Sequence, residues 1–174
     1  MKQHVALVGF MAAGKSTIGK KLARKLKVAF FDTDDLVVDE HGAVSDIFYN
    51  EGEKAFRNYE HAAIAHVLDD GDPGVVALGG GALTYEPNQK LLKKRAYKVF
   101  IKVSPEQVVE RLRKSKRVRP LLGPTPSLSK IKELYAKRMP QYAHADYVVE
   151  AEGMTTSQIV DAIVEWLHKK KIEI

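Results

Sequence analysis

One stretch near the start of the chain constrains its fold more than any other. Residues Gly9 to Ser16 read Gly-Phe-Met-Ala-Ala-Gly-Lys-Ser and match the pattern G-x-x-x-x-G-K-[ST]. The short apolar run His4–Val8 precedes this stretch, and a segment of helical periodicity, Ser16–Leu26, follows it. A strand, a glycine-rich turn and a helix in this order are typical of a phosphate-binding loop. The chain is therefore predicted to bind a nucleotide.

Each part of this loop has a chemical reason. Gly9 and Gly14 allow the backbone to fold around phosphate groups with its N–H groups pointing inward. Lys15 is expected to reach the β- and γ-phosphates, and the Ser16 hydroxyl to bind Mg²⁺ with Thr17 beside it. The predicted nucleotide contacts in this loop are Gly9, Ala12, Ala13, Gly14, Lys15, Ser16 and Thr17.

Apolar runs and helical patterns alternate along the rest of the chain. Four more strands are predicted, over Val28–Phe31, Val75–Leu78, Tyr97–Val103 and Tyr147–Glu150. This alternation predicts one α/β domain over residues 1–174, with a mainly parallel sheet and helices on both faces. Right-handed crossovers would bring the carboxyl ends of the strands to one edge, where such sheets bind ligands.

The composition agrees with a globular protein of one domain. The chain has 174 residues, of which 45% are hydrophobic and 29% charged, and it has no cysteine to form disulfides. No stretch approaches the ~20 consecutive apolar residues that a membrane helix needs. The run that begins at His4 is too short for a secretory signal. We therefore expect a cytoplasmic protein without a membrane partner.

The net charge of +6 admits either a nucleic acid or a small anionic substrate as partner. The basic clusters Lys90–Arg95 and Lys169–Lys171 are typical of helix ends, where cations interact favourably with the helix dipole. The cluster Arg111–Arg119 adjoins a Gly- and Pro-rich segment instead. Because basic and aromatic residues are not interleaved as in nucleic-acid-binding motifs, no nucleic-acid partner is expected.

Acidic residues follow the second predicted strand. Asp32 and Asp34 flank Thr33, so in an extended chain their side chains would share one face, beside the phosphate loop. One carboxylate could support Mg²⁺, while the other accepts a proton from an attacking hydroxyl. In the alternative interpretation, Asp34 or Asp35 only caps the next helix.

Three arginines and a run of glycines suggest an anion site. Arg57 lies on a predicted helix, Arg119 lies in the basic segment and Arg138 follows a later helix. Arginine is suited to bidentate capture of carboxylate or phosphate. The run Gly79–Gly81 exposes backbone that a ligand can approach closely. Residues 114–127 are predicted to form a mobile lid that closes over the γ-phosphate.

Several of these elements, taken in order over nearly the full length of the chain, resemble those of the shikimate kinase family. The matching elements are Gly9–Ser16, Asp32-Thr33-Asp34, Phe56-Arg57, Gly79–Gly81, Arg119-Pro120-Leu121-Leu122 and Arg138. The resemblance implies a fold like that of the nucleoside monophosphate kinases, with a five-stranded parallel sheet in the order 2-3-1-4-5. It also implies transfer of the γ-phosphate of ATP, with Mg²⁺, to the 3-hydroxyl of shikimate, on the route to chorismate and the aromatic amino acids.

The resemblance assigns roles around the acceptor. Asp34 would contact the shikimate hydroxyls and act as the base, while Arg57 and Arg138 would bind the carboxylate. Gly80 and Gly81 would approach the ring hydroxyls, and Gly79 would line the site. Phe48 and Phe56 would form a wall of the pocket, although packing in the core explains both equally well.

It also assigns roles around the nucleotide. Asp32 would support Mg²⁺ together with Ser16, and Lys15 and Arg119 would act in catalysis, with Arg119 in the lid bridging phosphate and substrate. An arginine that stacks on adenine should lie just before the lid, and the sequence does not choose between Arg111 and Arg113.

Two other functions share part of this evidence. A kinase of another small polyol acid, such as gluconate, would have the same phosphate loop. A phosphate-loop module that binds nucleotide or nucleic acid without turnover is the alternative outside the enzymes. The sequence does not determine the oligomeric state, and a monomer is the default expectation.

Overall fold

A parallel sheet of five strands forms the centre of the computed structural model, which describes residues 1–115 and 127–174. The strands are β1 (His4–Val8), β2 (Ala29–Asp32), β3 (Gly74–Ala77), β4 (Ala96–Lys102) and β5 (Tyr147–Glu150). Their order is β2-β3-β1-β4-β5, and every neighbouring pair is parallel. The predicted fold class and strand order are confirmed.

The central strand carries the phosphate loop at its carboxyl end. β1 pairs with β3 on one side, with Val5 opposite Val75, and with β4 on the other, with Val5 opposite Tyr97. All five residues of β1 are buried, as expected for a parallel strand with helices on both faces. The loop that follows β1 is thereby held in the middle of the ligand-binding edge of the sheet.

Eight α-helices surround the sheet in the described ranges. They are α1 (Lys15–Leu26), α2 (Thr33–His41), α3 (Val44–Glu51), α4 (Glu53–Ala65), α5 (Glu86–Arg95), α6 (Pro105–Lys114), α7 (Leu128–Tyr142) and α8 (Thr156–Lys169). A π-helical turn, His66–Asp70, extends α4, and a 3-10 turn, Ala82–Thr84, follows the glycine run. In the described parts of the chain, no helix is long and apolar enough to span a bilayer.

Side-chain caps start several of the helices. The Ser104 hydroxyl accepts a hydrogen bond from the Gln107 amide ahead of Pro105, the first residue of α6. Thr155 and Gln158 form a reciprocal capping box at the start of α8. These contacts satisfy amide groups that the first helical turn leaves without a partner.

Two hydrophobic clusters stabilise the fold. The larger surrounds the sheet, and a smaller one, built on Val37, Ile47 and Phe56, joins α2, α3 and α4. Helix α3 is bounded by Gly42 and Gly52, whose φ angles are 89° and 87°. With ψ near 180°, this backbone conformation is accessible essentially only to glycine. These two glycines therefore separate α3 from α2 and α4, so that it forms a short helix of its own.

The one tryptophan of the chain packs at the far edge of the sheet. The Trp166 ring, on α8, lies parallel to the Tyr147 ring on β5, with centroids 5.1 Å apart. Tyr97 meets the same indole edge-on at 6.4 Å. This aromatic group closes the core beneath α8.

Two local predictions are wrong. β2 ends at Asp32, so Asp34 lies in the first turn of α2 rather than in extended chain. Helix α7 continues through Pro140 to Tyr142, so Arg138 lies within the helix rather than after it. In both places the boundary between elements differs from the sequence pattern by only a few residues.

Candidate active site

A cavity of about 300 Å³ opens at the carboxyl edge of the sheet. The phosphate loop forms one wall, and α3, α4, the glycine run and α7 form the others. Its lining includes the following residues predicted for the site: Ala12, Ala13, Gly14, Lys15, Ser16, Thr17, Asp32, Asp34, Phe48, Phe56, Arg57, Gly79, Gly80, Gly81 and Arg138. The nucleotide and acceptor residues predicted separately from sequence therefore meet in one space.

The phosphate loop has the strained backbone that its glycines predict. Gly9 has φ 152°, and a Cβ at that position would lie 2.7 Å from the Ile101 carbonyl oxygen, so only glycine fits. Ala12 adopts φ 58°, which is uncommon for a residue other than glycine. The buried Lys15 ammonium donates to the Gly9 and Phe10 carbonyl oxygens at 2.6 and 2.9 Å. The Lys15 ammonium thus lies beside the backbone of the phosphate loop, at the start of α1.

Asp32 connects the phosphate loop to α2. The Ser16 hydroxyl donates to Asp32 Oδ2, while Asp32 Oδ1 accepts from the Asp34 and Asp35 amides at 3.0 and 3.2 Å. Asp32 is therefore the N-cap of α2, and the alternative that Asp34 or Asp35 is the cap is wrong. Because β2 ends at Asp32 and α2 begins at the next residue, Asp34 lies in the first turn of α2, and from there it lines the cavity. A hydroxyl beside a carboxylate provides oxygen donors of the kind that Mg²⁺ prefers.

Gly79 lies where two carboxylates approach each other. A Cβ at this position would be 2.7 Å from Glu60 Oε2 and 2.8 Å from Asp34 Oδ1. Any side chain at residue 79 would therefore displace one of these two carboxylates. Thr33, buried beneath the loop, accepts from the Gly79 amide at 3.4 Å and helps to hold it.

Glu60 is the main site residue that the sequence analysis missed. Its side chain has no exposed surface, and Oε1 accepts from Arg57 Nη1 at 2.8 Å. Burial raises the pKa of Glu60 to about 7, with a further increase from Asp34, and the Arg57 charge opposes this shift. Its spacing of three residues from Arg57, on one face of a helix, is the signal that could have revealed it.

Arg57 is held on several sides. Nη2 lies 3.6 Å from Glu53 Oε1, and the guanidinium lies 5.2 Å from the Phe56 ring centroid. A Cβ on Gly81 would fall 2.3 Å from Nη2. Phe56 in turn packs against Phe48 at 5.0 Å, so both phenylalanines line the cavity and also belong to the packing of α3 on α4.

Arg138 enters the cavity from the opposite wall. Only 5% of the residue is exposed, and its guanidinium lies 5.5 Å from the Phe10 ring centroid. Burial lowers the pKa of Arg138, and the nearby positive charge of Arg57 lowers it further. Within the described residues, Arg138 Nη1 has no hydrogen-bond partner. A buried guanidinium close to another cation suits a site for an anion.

Arg111 and Arg113 differ sharply in position. Arg111 Nη1 donates to the Ala12 carbonyl oxygen at 3.0 Å, next to the phosphate loop, whereas Arg113 is exposed. The structure thus brings Arg111, and not Arg113, to the phosphate loop. Arg119 lies outside the described residues, as does most of the predicted lid. Across residues 1–115 and 127–174, no three His, Cys, Asp or Glu residues cluster as a metal site.

Comparison with protein families gives a direct match. The family model described as shikimate kinase matches residues 11–168. The shikimate kinase of Francisella tularensis subsp. novicida is 38% identical over 172 residues, covering 98% of this chain and 97% of that protein. The shikimate kinase of Francisella philomiragia shows the same identity and coverage.

Solved structures agree. Shikimate kinase from Acinetobacter baumannii, in complex with shikimate, superposes with a TM-score of 0.91 at 32% identity, covering 98% of this chain and 96% of that one. Shikimate kinase from Aquifex aeolicus gives 0.83 at 31%, covering 98% and 99%. A deoxyadenosine kinase from M. mycoides, at 16% identity and a TM-score of 0.61, shares the fold.

The fold and the cavity define a P-loop kinase for a small anionic acceptor. A phosphate loop and a pair of buried arginines face one space, which is what such a transfer requires. The chain belongs to the shikimate kinase family. The predicted activity, ATP-dependent phosphorylation of a hydroxyl of shikimate, is thereby confirmed.

Proposed function

We propose that this chain transfers the γ-phosphate of Mg·ATP to the 3-hydroxyl of shikimate, using the cavity residues in the roles given below. The observation that carries the proposal is the shared cavity, in which Lys15 and Ser16 face Arg57 and Arg138. One space holds the groups suited to a polyphosphate and those suited to a carboxylate. An enzyme that joins the two substrates needs this proximity.

Arg57 and Arg138 are proposed to bind the carboxylate of shikimate. Arg57 is oriented by Glu60, and Arg138 keeps Nη1 available within the described residues. A carboxylate between the two guanidiniums would relieve their mutual repulsion and gain charge-assisted hydrogen bonds. The glycine run then offers backbone close to the ring hydroxyls, because residues 79–81 carry no side chains.

Asp34 is proposed as the proton acceptor. Its carboxylate lies beside Gly79, where the acceptor hydroxyl would enter. As the hydroxyl oxygen bonds to the γ-phosphorus, its proton passes to an Asp34 oxygen. The bond between the γ-phosphorus and the bridging oxygen breaks, and ADP leaves with those electrons.

Ser16 and Asp32 are proposed to hold Mg²⁺, Ser16 through its hydroxyl and Asp32 directly or through water. When bound, the ion would neutralise charge on the β- and γ-phosphates. Asp32 keeps these groups together by capping α2 while accepting from Ser16. The hydrogen bond between Ser16 and Asp32 thus keeps the two proposed Mg²⁺ ligands beside the first turn of α2, which carries Asp34.

The remaining nucleotide contacts are proposed from position and sequence together. Lys15 stabilises charge on the transferred phosphate, and Arg111, at Ala12, is the arginine proposed to stack on adenine. The role of Arg119 in bridging phosphate and substrate, within a lid over residues 114–127, rests on the sequence resemblance. We also propose a single-domain monomer that acts in the cytoplasm.

A coupled ADP-release assay with Mg·ATP tests the proposal, run in parallel with shikimate, gluconate and buffer alone. Release that requires shikimate, with phosphate found on its 3-hydroxyl, supports the proposal. Release with gluconate would retain the kinase and reject the acceptor. Release with neither acceptor would favour a nucleotide-binding module, and the proposed carboxylate site would be abandoned.

A further inference from the structure

Tyr142, the last residue of α7, lies next to the part of the cavity that is proposed to bind shikimate, but it does not line the cavity. The residue is 2% exposed, and its ring stacks on Phe100 of β4 with centroids 4.9 Å apart. Phe100 is paired in register with Val8, the last residue of β1. The phenol ring is therefore anchored to the sheet next to the point where the phosphate loop begins.

Tyr142 lies close to two groups of the proposed acceptor site, the Gly80 peptide and the Arg138 guanidinium. It donates to the Gly80 carbonyl oxygen at 2.6 Å. Arg138, one helical turn earlier, packs against the same glycine, because a Cβ on Gly80 would lie 3.4 Å from Arg138 Nη1. Burial raises the pKa of Tyr142 to about 12, so the hydroxyl keeps its proton and remains a donor at neutral pH.

Fixing the Gly80 carbonyl also orients the next amide. The chain has no cis peptide in its described parts, so the Gly81 N–H points opposite to the Gly80 C=O. The bond to Tyr142 therefore turns the Gly81 N–H away from α7. Glycines have no side chain to hold such a peptide plane, and rotation is otherwise easy.

We propose that Tyr142 is a positioning residue for substrate recognition, whose hydroxyl holds the Gly80–Gly81 peptide against which the Arg138 guanidinium packs. This proposal rests on the proposed function of the cavity. Its distinctive consequence is that the hydroxyl contributes to the preference for a carboxylate on the acceptor, although it need not touch the acceptor. Nucleotide binding is expected to change little, because the hydroxyl donates to Gly80 and not to the phosphate loop.

The test compares wild type and Tyr142→Phe with two acceptors, shikimate and its uncharged carboxamide. We expect the variant to raise the KM for shikimate by about tenfold, the effect of losing one buried hydrogen bond. The KM for ATP should stay within about twofold, and kcat should change less than the KM for shikimate. The ratio of kcat/KM for acid over amide should fall, because the misaligned Arg138 loses more with the charged acceptor.

Tyr135→Phe is the matched control, since this tyrosine lies on the same helix with its ring 5.6 Å from Phe10. Its acid-to-amide ratio should equal that of the wild type. An unchanged acid-to-amide ratio in Tyr142→Phe would overturn the proposal, because equal losses with both acceptors indicate a purely structural role. If that variant does not fold, the ratio is measured in Tyr142→Leu, which also lacks the hydroxyl, and the same outcomes decide. Failure of the wild type to use shikimate would instead reject the proposed function.

Discussion

Arg57 and Glu60 form a buried ion pair across one turn of α4, with Nη1 and Oε1 2.8 Å apart. Glu60 Oε2 has no hydrogen-bond partner within the described residues, although it faces Gly79 beside Asp34. The pair holds an arginine in the cavity at the cost of burying a carboxylate. This cost should be visible as pH-dependent stability.

The folded protein should lose stability as the pH rises from about 4.5 to about 7, through the Glu60 carboxyl. Its pKa is raised to about 7 in the folded state from 4.5, so the unfolded chain releases this proton first. The resulting loss in the free energy of unfolding at higher pH is of the order of 3 kcal/mol. Urea unfolding at pH 5 and pH 8 should show a smaller loss in Glu60→Gln than in wild type. Glu133→Gln, on the exposed face of α7, is the control, and parallel behaviour of all three proteins would contradict the prediction.

Asp34→Asn should reduce turnover by two to four orders of magnitude, because an amide cannot accept the hydroxyl proton, whereas ATP binding should change little. Asp35→Asn is the matched control, because Asp35 is the next residue of the same helical turn and is exposed. Single-turnover rates and nucleotide titrations separate the two effects. Near-normal turnover in Asp34→Asn would reject Asp34 as the base.

Gly81→Ala should weaken acceptor binding by about tenfold or more. The backbone at residue 81, with φ −105°, tolerates alanine, but the new Cβ would fall 2.3 Å from Arg57 Nη2. The guanidinium would have to move and lose its alignment with Glu60. Calorimetric titration with shikimate measures the loss, and titration with ATP is the internal control. Unaltered shikimate affinity would place the carboxylate elsewhere.

Arg111→Ala should raise the KM for ATP by about tenfold, whereas Arg113→Ala should change it by less than about twofold. Arg111 contacts the phosphate loop at Ala12, and Arg113 is exposed two residues later on the same helix. The KM for shikimate should be similar in both variants. Equal effects of the two replacements on the KM for ATP would show that contact with the loop is not what matters.

The phosphate loop could be predicted from sequence because its backbone geometry requires particular residues at fixed spacing. Gly9, whose missing side chain makes room for the Ile101 carbonyl, is an example. The relation between Asp32 and Asp34 could not be predicted in this way, because it depends on the residue at which the strand ends. Glu60 was missed because only tertiary packing removes its carboxylate from water and brings it to Asp34.

The stacking of Trp166 on Tyr147 has a practical consequence for these measurements. None of the described residues that line the cavity comes from β5 or α8, so the only indole of the chain is outside the site. Its emission should follow the unfolding of the sheet edge and remain nearly constant when substrate or nucleotide binds. The protein thus has a built-in optical reporter of folding that is separate from ligand occupancy, and a tryptophan introduced near Phe48 would supply the missing reporter of binding.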